Sequence, residues 1–280
     1  MHGTFLDDRP AQPFLRWAGG KSSWAQVIVA KLPELGRTAR YFEPFLGAAS
    51  VFLAYAPRTS YLSDRNVHLI ATFSEVRDDP AGVARHLRVH KARDSEAHFY
   101  RVRDRYNAHR SRTHDVQQAA RFIYLNKACF NGIFRVNRRG EFNVPYGYRK
   151  YLAIPDEPLL RAVSVRLRTC TLRALDFNEA LGTARRGDVV YLDPPYPPLS
   201  ATAYFAHYTA ERFDQADQEQ VALVAHNLAD RGAKVLVTNA DTRAVRKLYR
   251  GWSVSAVDRV RWVTSSVTKH KVRELLISSY

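Results

Sequence analysis

Cysteine is almost missing from this chain: Cys129 and Cys170 are the only two in 280 residues, too few for a disulfide framework or a cysteine-rich zinc site. That scarcity fits a reducing compartment. No apolar run approaches the roughly 20 residues that cross a bilayer. The opening stretch, residues 1–10, is polar and lacks the apolar centre of a secretory signal. Acidic residues are also in short supply, with 27 Asp and Glu against 43 Lys and Arg and a formal charge of +16. The chain therefore reads as soluble, intracellular and drawn to polyanions, nucleic acid first among them.

What is present points to an α/β fold. Apolar residues make up 46% of the chain, enough for a globular core. Residues 21–32 read as a helix, 39–43 as a strand, 48–55 as a helix, 60–63 as a strand and 66–75 as a helix. Such alternation predicts a parallel sheet covered by helices. From residue 78 to 128 helices follow one another, with Val116, Ala119, Ala120, Ile123 and Tyr124 at helical spacing. A glycine-punctuated, hairpin-like stretch occupies 131–147. Strands are expected again at 167–172, 188–192 and 234–238, a helix at 214–229, and a closing hairpin from 252–257 and 272–278. Between residues 85 and 150 stand 16 Lys and Arg against 5 Asp and Glu, so most of the excess charge lies there. A phosphate-facing surface explains that concentration better than a solvated helix face. The expected organisation is an α/β domain of residues 1–74 and 158–280 interrupted by a basic, mostly helical insert at 75–157.

The most informative stretch is Asp188-Val189-Val190-Tyr191-Leu192-Asp193-Pro194-Pro195-Tyr196. An apolar strand ends in an acid, two prolines and an aromatic ring, where an open α/β sheet binds its ligands. The prolines fix the turn and restrict the residue before each. Asp193 and the Pro194 carbonyl can then accept both hydrogens of an exocyclic amine, while Tyr196 stacks on the base that carries it. An ordinary proline turn after a strand is the plainer alternative.

The ordered motifs resemble the Dam-type family of DNA adenine-N6 methyltransferases almost from end to end. They are Phe14-Leu15-Arg16-Trp17-Ala18-Gly19-Gly20-Lys21, then Phe42-Glu43-Pro44-Phe45-Leu46-Gly47 and Leu62-Ser63-Asp64-Arg65-Asn66. Arg138-Arg139-Gly140-Glu141-Phe142-Asn143-Val144-Pro145-Tyr146-Gly147 follows in the insert, then the Asp-Pro-Pro-Tyr group and Val237-Thr238-Asn239. The resemblance implies a Rossmann-like methyltransferase sheet with an inserted, mostly helical DNA-recognition domain that carries a β-hairpin. It implies S-adenosylmethionine as methyl donor with no metal, and double-stranded DNA as partner. A monomer in the cytoplasm, nucleoid-associated or phage-borne, away from membranes, is the implied setting.

By the same resemblance Trp17, Lys21, Phe45, Gly47, Asp64, Asp176, Phe177 and Asp193 face the cofactor, and Asp193, Pro194, Pro195 and Tyr196 form the catalytic group. Read without it, Trp17 is a core residue and Lys21 a surface one. Gly20-Lys21-Ser22 is not a triphosphate loop, because Leu15 stands where that loop needs glycine. Asp64 closes a strand about twenty residues after the Gly47 turn, the place of a ribose-binding acid; alternatively it caps the next helix. Capping explains Asp176 nearly as well. Ala49 replaces a glycine that the family usually carries. His86 and His90 lack an intervening Glu and a third ligand, so both read as surface residues.

The stretch 130–137 resembles the family's recognition hairpin, with Arg135 matching an arginine that reads guanine in members acting on GATC. Phe130 and Asn131 match residues that wedge into the stack, and Ile133 is placed to touch a thymine methyl. Arg16, Lys127, Asn137, Arg138 and Pro145 complete the expected DNA-binding set. A phosphate-only role for Arg135 stays open, as do an RNA adenine methyltransferase, a cytosine-N4 methyltransferase and a non-catalytic DNA-binding module.

Overall fold

A computed structural model describes residues 10–111, 114–197, 213–262 and 269–280, with side chains for all but 259–262 and 269–272. The polar opening stretch, apart from Pro10, lies outside the described residues. In chain order the first elements are α1 (Ala25–Val29), β1 (Tyr41–Glu43), α2 (Ser50–Tyr55), β2 (Ser60–Asp64) and α3 (Val67–Asp78). Next come α4 (Pro80–Ala92), α5 (Glu96–Ala108), α6 (Val116–Ala128), a 3-10 turn at Phe130–Gly132, and α7 (Glu157–Leu167). Then follow β3 (Cys170–Ala174), α8 (Phe177–Ala180), β4 (Val189–Leu192), α9 (Gln215–Asp230), β5 (Lys234–Ala240), α10 (Arg243–Leu248), β6 (Ser253–Trp262) and β7 (Lys269–Ser278).

Contacts divide the chain into two packed units. One comprises Met1–Ala25, Gly47–Ala56 and Asn66–Leu172; the other comprises Gln26–Leu46, Pro57–Arg65 and Arg173–Tyr280. This packing division does not coincide with the expected insert at 75–157: α3 packs on α4 and α6, and α7 packs on α3 and α4.

Short polar side chains start five helices of the first unit. Asn66 caps α3, Asp79 caps α4 with Pro80 at its first position, Ser95 caps α5, Asp115 caps α6 and Asp156 caps α7. Each carboxamide, carboxylate or hydroxyl accepts a backbone N–H that the first turn leaves without a partner. The core between these helices is aromatic: Phe73, Phe99, Phe122, Tyr106 and Tyr124 are all buried. Two expectations need correction. The strand expected at 167–172 is displaced to Cys170–Ala174, because Asp156 nucleates α7 and Leu160, Val163 and Leu167 bury one helical face through Leu167. The helix expected at 21–32 shrinks to Ala25–Val29, since residues before it make turns, with Trp24 N–H donating to the Lys21 carbonyl at 2.9 Å.

The seven strands form one sheet in the order β3-β2-β1-β4-β5-β7-β6. β1 runs parallel to β2 and β4, and β4 parallel to β5, while β7 is antiparallel to both β5 and β6. The closing hairpin is longer than expected, ten residues on each side. β1 and β4 are buried throughout, as central parallel strands covered on both faces must be. Along each strand alternate residues face alternate sides. Phe42, Val190, Leu192, Val235, Val237, Leu275 and Ile277 pack with Val221, Ala225 and Leu228 of α9. The opposite face carries Tyr41, Glu43, Tyr191, Thr238 and Glu274. Chain order reverses between β1 and β4, the position where an open α/β sheet offers a crevice at its carboxyl edge.

Candidate active site

Asp193 follows β4 directly, at that carboxyl edge. Two neighbouring strands and one helix hold the turn it begins. Thr238 of β5 donates its hydroxyl hydrogen to Asp193 Oδ1 at 2.7 Å, and Tyr191 Oη lies 2.9 Å from Thr238 Oγ1. A carboxylate only accepts, so the single Thr238 hydrogen is committed to Asp193 and Tyr191 donates to Thr238. The three groups form a directed relay ending on the carboxylate. Gln218 of α9 donates Nε2–H to the Pro195 carbonyl at 2.7 Å, and Asn239 donates to Gln218 Oε1 at 2.9 Å. Pro194 is buried, whereas Pro195 is exposed. Tyr196 donates its hydroxyl to Glu274 Oε2 of β7 at 2.9 Å. Burial, then the charges of Asp193 and Glu274, hold the Tyr196 phenol well above its ordinary range. It stays neutral and remains the donor.

The other second-unit residues sit at the ends of the neighbouring strands. Asp64 is the last residue of β2, and it does not cap α3: Asn66 does, accepting from His68 N and Leu69 N at 3.1 Å each. Asp176 does cap α8, accepting from Asn178 N at 3.0 Å, and lies 3.8 Å from Arg65. Phe177 is buried and stacks on half-buried Phe45 with ring centres 5.5 Å apart.

Within the first unit, Trp17 stacks on Phe134 at 5.8 Å and Phe122 at 6.4 Å. Gly47 adopts φ +48, and a Cβ there would stand 2.8 Å from the Trp17 ring. Glycine is required on both counts. Lys21 is no surface residue: it is 4% exposed and donates Nζ–H to the Gly19 carbonyl at 2.7 Å. Ala49, in place of the family's glycine, holds the left-handed conformation at φ 59.

All nine expected DNA-binding residues belong to the first unit. Asn126, fully buried at the end of α6, bonds the Arg16 backbone in both directions at 2.8 Å. Arg16 packs its stem on Gly132, where a Cβ would fall 2.4 Å from Arg16 Cδ. Burial, together with Arg16 and Arg149, lowers the Lys127 amine to about 8. Phe130 is 51% exposed although large and apolar, and Asn131 beside it takes φ 57. Val136 bridges Phe142 across a turn closed by Asn137, whose Oδ1 accepts from Arg139 N and Glu141 N. The exposed Arg135 donates Nε–H to Asn143 at 2.9 Å, and its outer nitrogens have no partner among the described residues. Ile133 is half-buried; Arg138 and Pro145 are exposed. His90 corrects another expectation: it is packed rather than on the surface, 3.1 Å from His98, and burial with the His98 charge lowers it to about 4.

Sequence reasoning gave no role to Thr238, Gln218, Glu274, Asn126 or Arg149. Usable signals existed for two: Thr238 lies in the quoted Val237-Thr238-Asn239 motif, and Glu274 interrupts the apolar end of its strand, where a buried acid needs a partner.

Comparison with known proteins places these residues in context. A family model of the D12 class N6 adenine-specific DNA methyltransferases matches residues 17–263. The DNA adenine methylase of Serratia marcescens is 37% identical over 268 residues, covering 94% of this chain and 96% of its own. The type II methyltransferase M.MjaIII of Methanocaldococcus jannaschii is 35% identical over 286 residues, covering 96% and 99%. The type II methyltransferase M1.LlaDCHI of Lactococcus lactis subsp. cremoris is 31% identical over 273 residues, covering 96% and 95%.

Proposed function

Because this chain belongs to the D12 class N6 adenine-specific DNA methyltransferases, we propose that it methylates adenine in GATC, with Asp193 to Tyr196 as the catalytic group. It is a DNA adenine methyltransferase with a Rossmann-like sheet, and its family implies S-adenosylmethionine as methyl donor. The donor residues fit that molecule. A carboxylate suited to ribose hydroxyls closes β2 at Asp64, and Asp176 with Phe177, on which Phe45 stacks, follows β3 as the pair for the adenine. Gly47, Trp17 and Lys21 complete the proposed cofactor set. When bound, S-adenosylmethionine supplies an electrophilic methyl group.

The target adenine leaves the duplex, because its amine is unreachable inside the stack. Asp193 and the Pro194 carbonyl accept the two amine hydrogens and aim the nitrogen lone pair. Tyr196 holds the base plane. Acceleration then comes from alignment of two bound reactants. The observation that carries this reading is the Tyr191–Thr238–Asp193 relay, which fixes a carboxylate at the carboxyl end of β4. Residues 75–157 act as the target-recognition region. Arg135 reads guanine through the outer nitrogens of its fork, a bidentate pairing, while Arg16, Lys127 and Arg138 engage phosphates. Phe130 and Asn131 fill the space that displaced bases leave.

The test combines radiolabelled S-adenosylmethionine with GATC duplex, scrambled duplex and RNA, followed by single-molecule sequencing of treated plasmid. Label should enter GATC duplex alone. Asp193→Ala should bind DNA yet lose several orders of magnitude in turnover, and a variant keeping a tenth of its rate would refute the catalytic assignment. Arg135→Ala should relax selectivity at one guanine by about 1–3 kcal/mol. Methyl groups mapped to a motif without that guanine would overturn GATC and leave the catalysis standing.

A further inference from the structure

Glu274 is a charged residue where folding alone favours an apolar one. It sits on β7 between β5 and β6, aligned with Ala240 on one side and Val257 on the other, and none of it reaches solvent. Leu275, Leu276 and Ile277 follow it, all buried. A carboxylate taken out of water is costly unless hydrogen bonds satisfy it, and a well-packed apolar side chain often serves stability as well or better. Its bond to Tyr196 crosses 78 positions of sequence and reaches the ring of the catalytic turn.

We propose that Glu274 is a positioning residue for methyl transfer: by accepting the Tyr196 hydroxyl it fixes the plane of the ring on which the displaced adenine stacks. The inference rests on the reading of Asp193 to Tyr196 as the catalytic group. The backbone of the turn is set by two prolines and by Gln218, but these leave the tyrosine side-chain torsions open. The bond fixes the axis of the ring, and because a phenol O–H prefers to lie in the plane of its ring, the position of the Glu274 oxygen also turns that plane. Burial and two nearby carboxylates keep the phenol protonated, so the bond keeps its direction at every working pH.

A double-mutant cycle tests the pairing. Glu274→Leu and Tyr196→Phe should each lower kcat roughly ten- to hundredfold, the scale for one hydrogen bond to a charged group. S-adenosylmethionine affinity should stay unchanged in both. The double variant should be no slower than the slower single variant, since the two changes remove one interaction. Glu274→Gln, which keeps an acceptor oxygen, should restore most of the rate. With 2-aminopurine at the mapped target adenine, Glu274→Leu should brighten emission because the flipped base stacks less firmly.

Additive losses in the double variant, or a Tyr196→Phe enzyme with full kcat, would overturn the proposal. Tyr196→Phe remains decisive even if Glu274→Leu fails to fold. Asp193→Ala separates the two claims: an active Asp193→Ala defeats the catalytic reading, while an inactive one beside uncoupled Glu274 and Tyr196 defeats only this inference.

Discussion

At the scale of single residues, the structure shows which acids cap helices: Asp176 caps α8, and Asp64 does not cap α3. Asn66 serves the first turn of α3, and Asp64 stands at the carboxyl end of β2, where the proposed function gives it the ribose. We expect Asp64→Ala to weaken S-adenosylmethionine binding by roughly 1.5–3 kcal/mol, the worth of a hydrogen bond to a charged group. Calorimetry showing equal affinity would reverse that assignment. Asp193 was legible because a strand that ends in acid, prolines and a ring is an unusual local arrangement. Its bond from Thr238 was not, although Thr238 stands in one of the quoted motifs, and neither was the bond from Tyr196 to Glu274: only strand register brings these residues to the turn. Lys21 departs from the plainer of its two readings, a surface lysine: it is buried with the Gly19 carbonyl as partner.

At the scale of elements, helices were read best where apolar spacing and a capping side chain agreed, as in α6 and α9. The strand expected at 167–172 failed because a short apolar run of that kind has no period long enough to exclude helix. The hairpin-like stretch exists, closed by Asn137 and its turn, but it owes its anchoring to Asn126, which no local pattern revealed. Lys127, one position on, gives this segment a pH signature. Its charged form is disfavoured by burial and by Arg16 and Arg149, so it is cationic below about 8 and neutral above. DNA binding should therefore weaken as pH rises through that value. Salt titrations should give a log-affinity slope shallower by about one at high pH than at neutrality. Lys127→Arg, charged throughout, should remove the difference. Fold stability moves the other way, because the unfolded chain holds this proton up to the ordinary lysine range.

For the whole molecule, the alternation of strands and helices disclosed an α/β sheet, but the strand order had to come from the structure. One ion pair ties the amino ends of β1 and β4 together. Asp188, 2% exposed at its side chain, takes Arg40 Nη2 at 2.6 Å and the Arg40 and Arg185 amides. Burial pushes its carboxyl up, but Arg40 and the amides outweigh that and leave it below the ordinary value. Its stabilising contribution is complete above the unfolded carboxylate range and is lost as pH falls through the folded value. Asp188→Ala, which removes the buried partner of the part-exposed Arg40 guanidinium and of two backbone amides, should cost about 1.5–3 kcal/mol in urea unfolding at neutral pH. A loss below about 1 kcal/mol would mean that Arg40 finds water instead.

The place of β7 in the sheet has a consequence for biosynthesis. It is the last of the seven strands to be translated, yet it belongs between β5 and β6. Until residues 269–278 clear the ribosome, β5 presents an unpaired edge, which invites aggregation and gives chaperones something to hold. Glu274 arrives with that same strand, so its bond to Tyr196 forms only once β7 is made. The proposed positioning of the Tyr196 ring therefore depends on the strand that joins the sheet last.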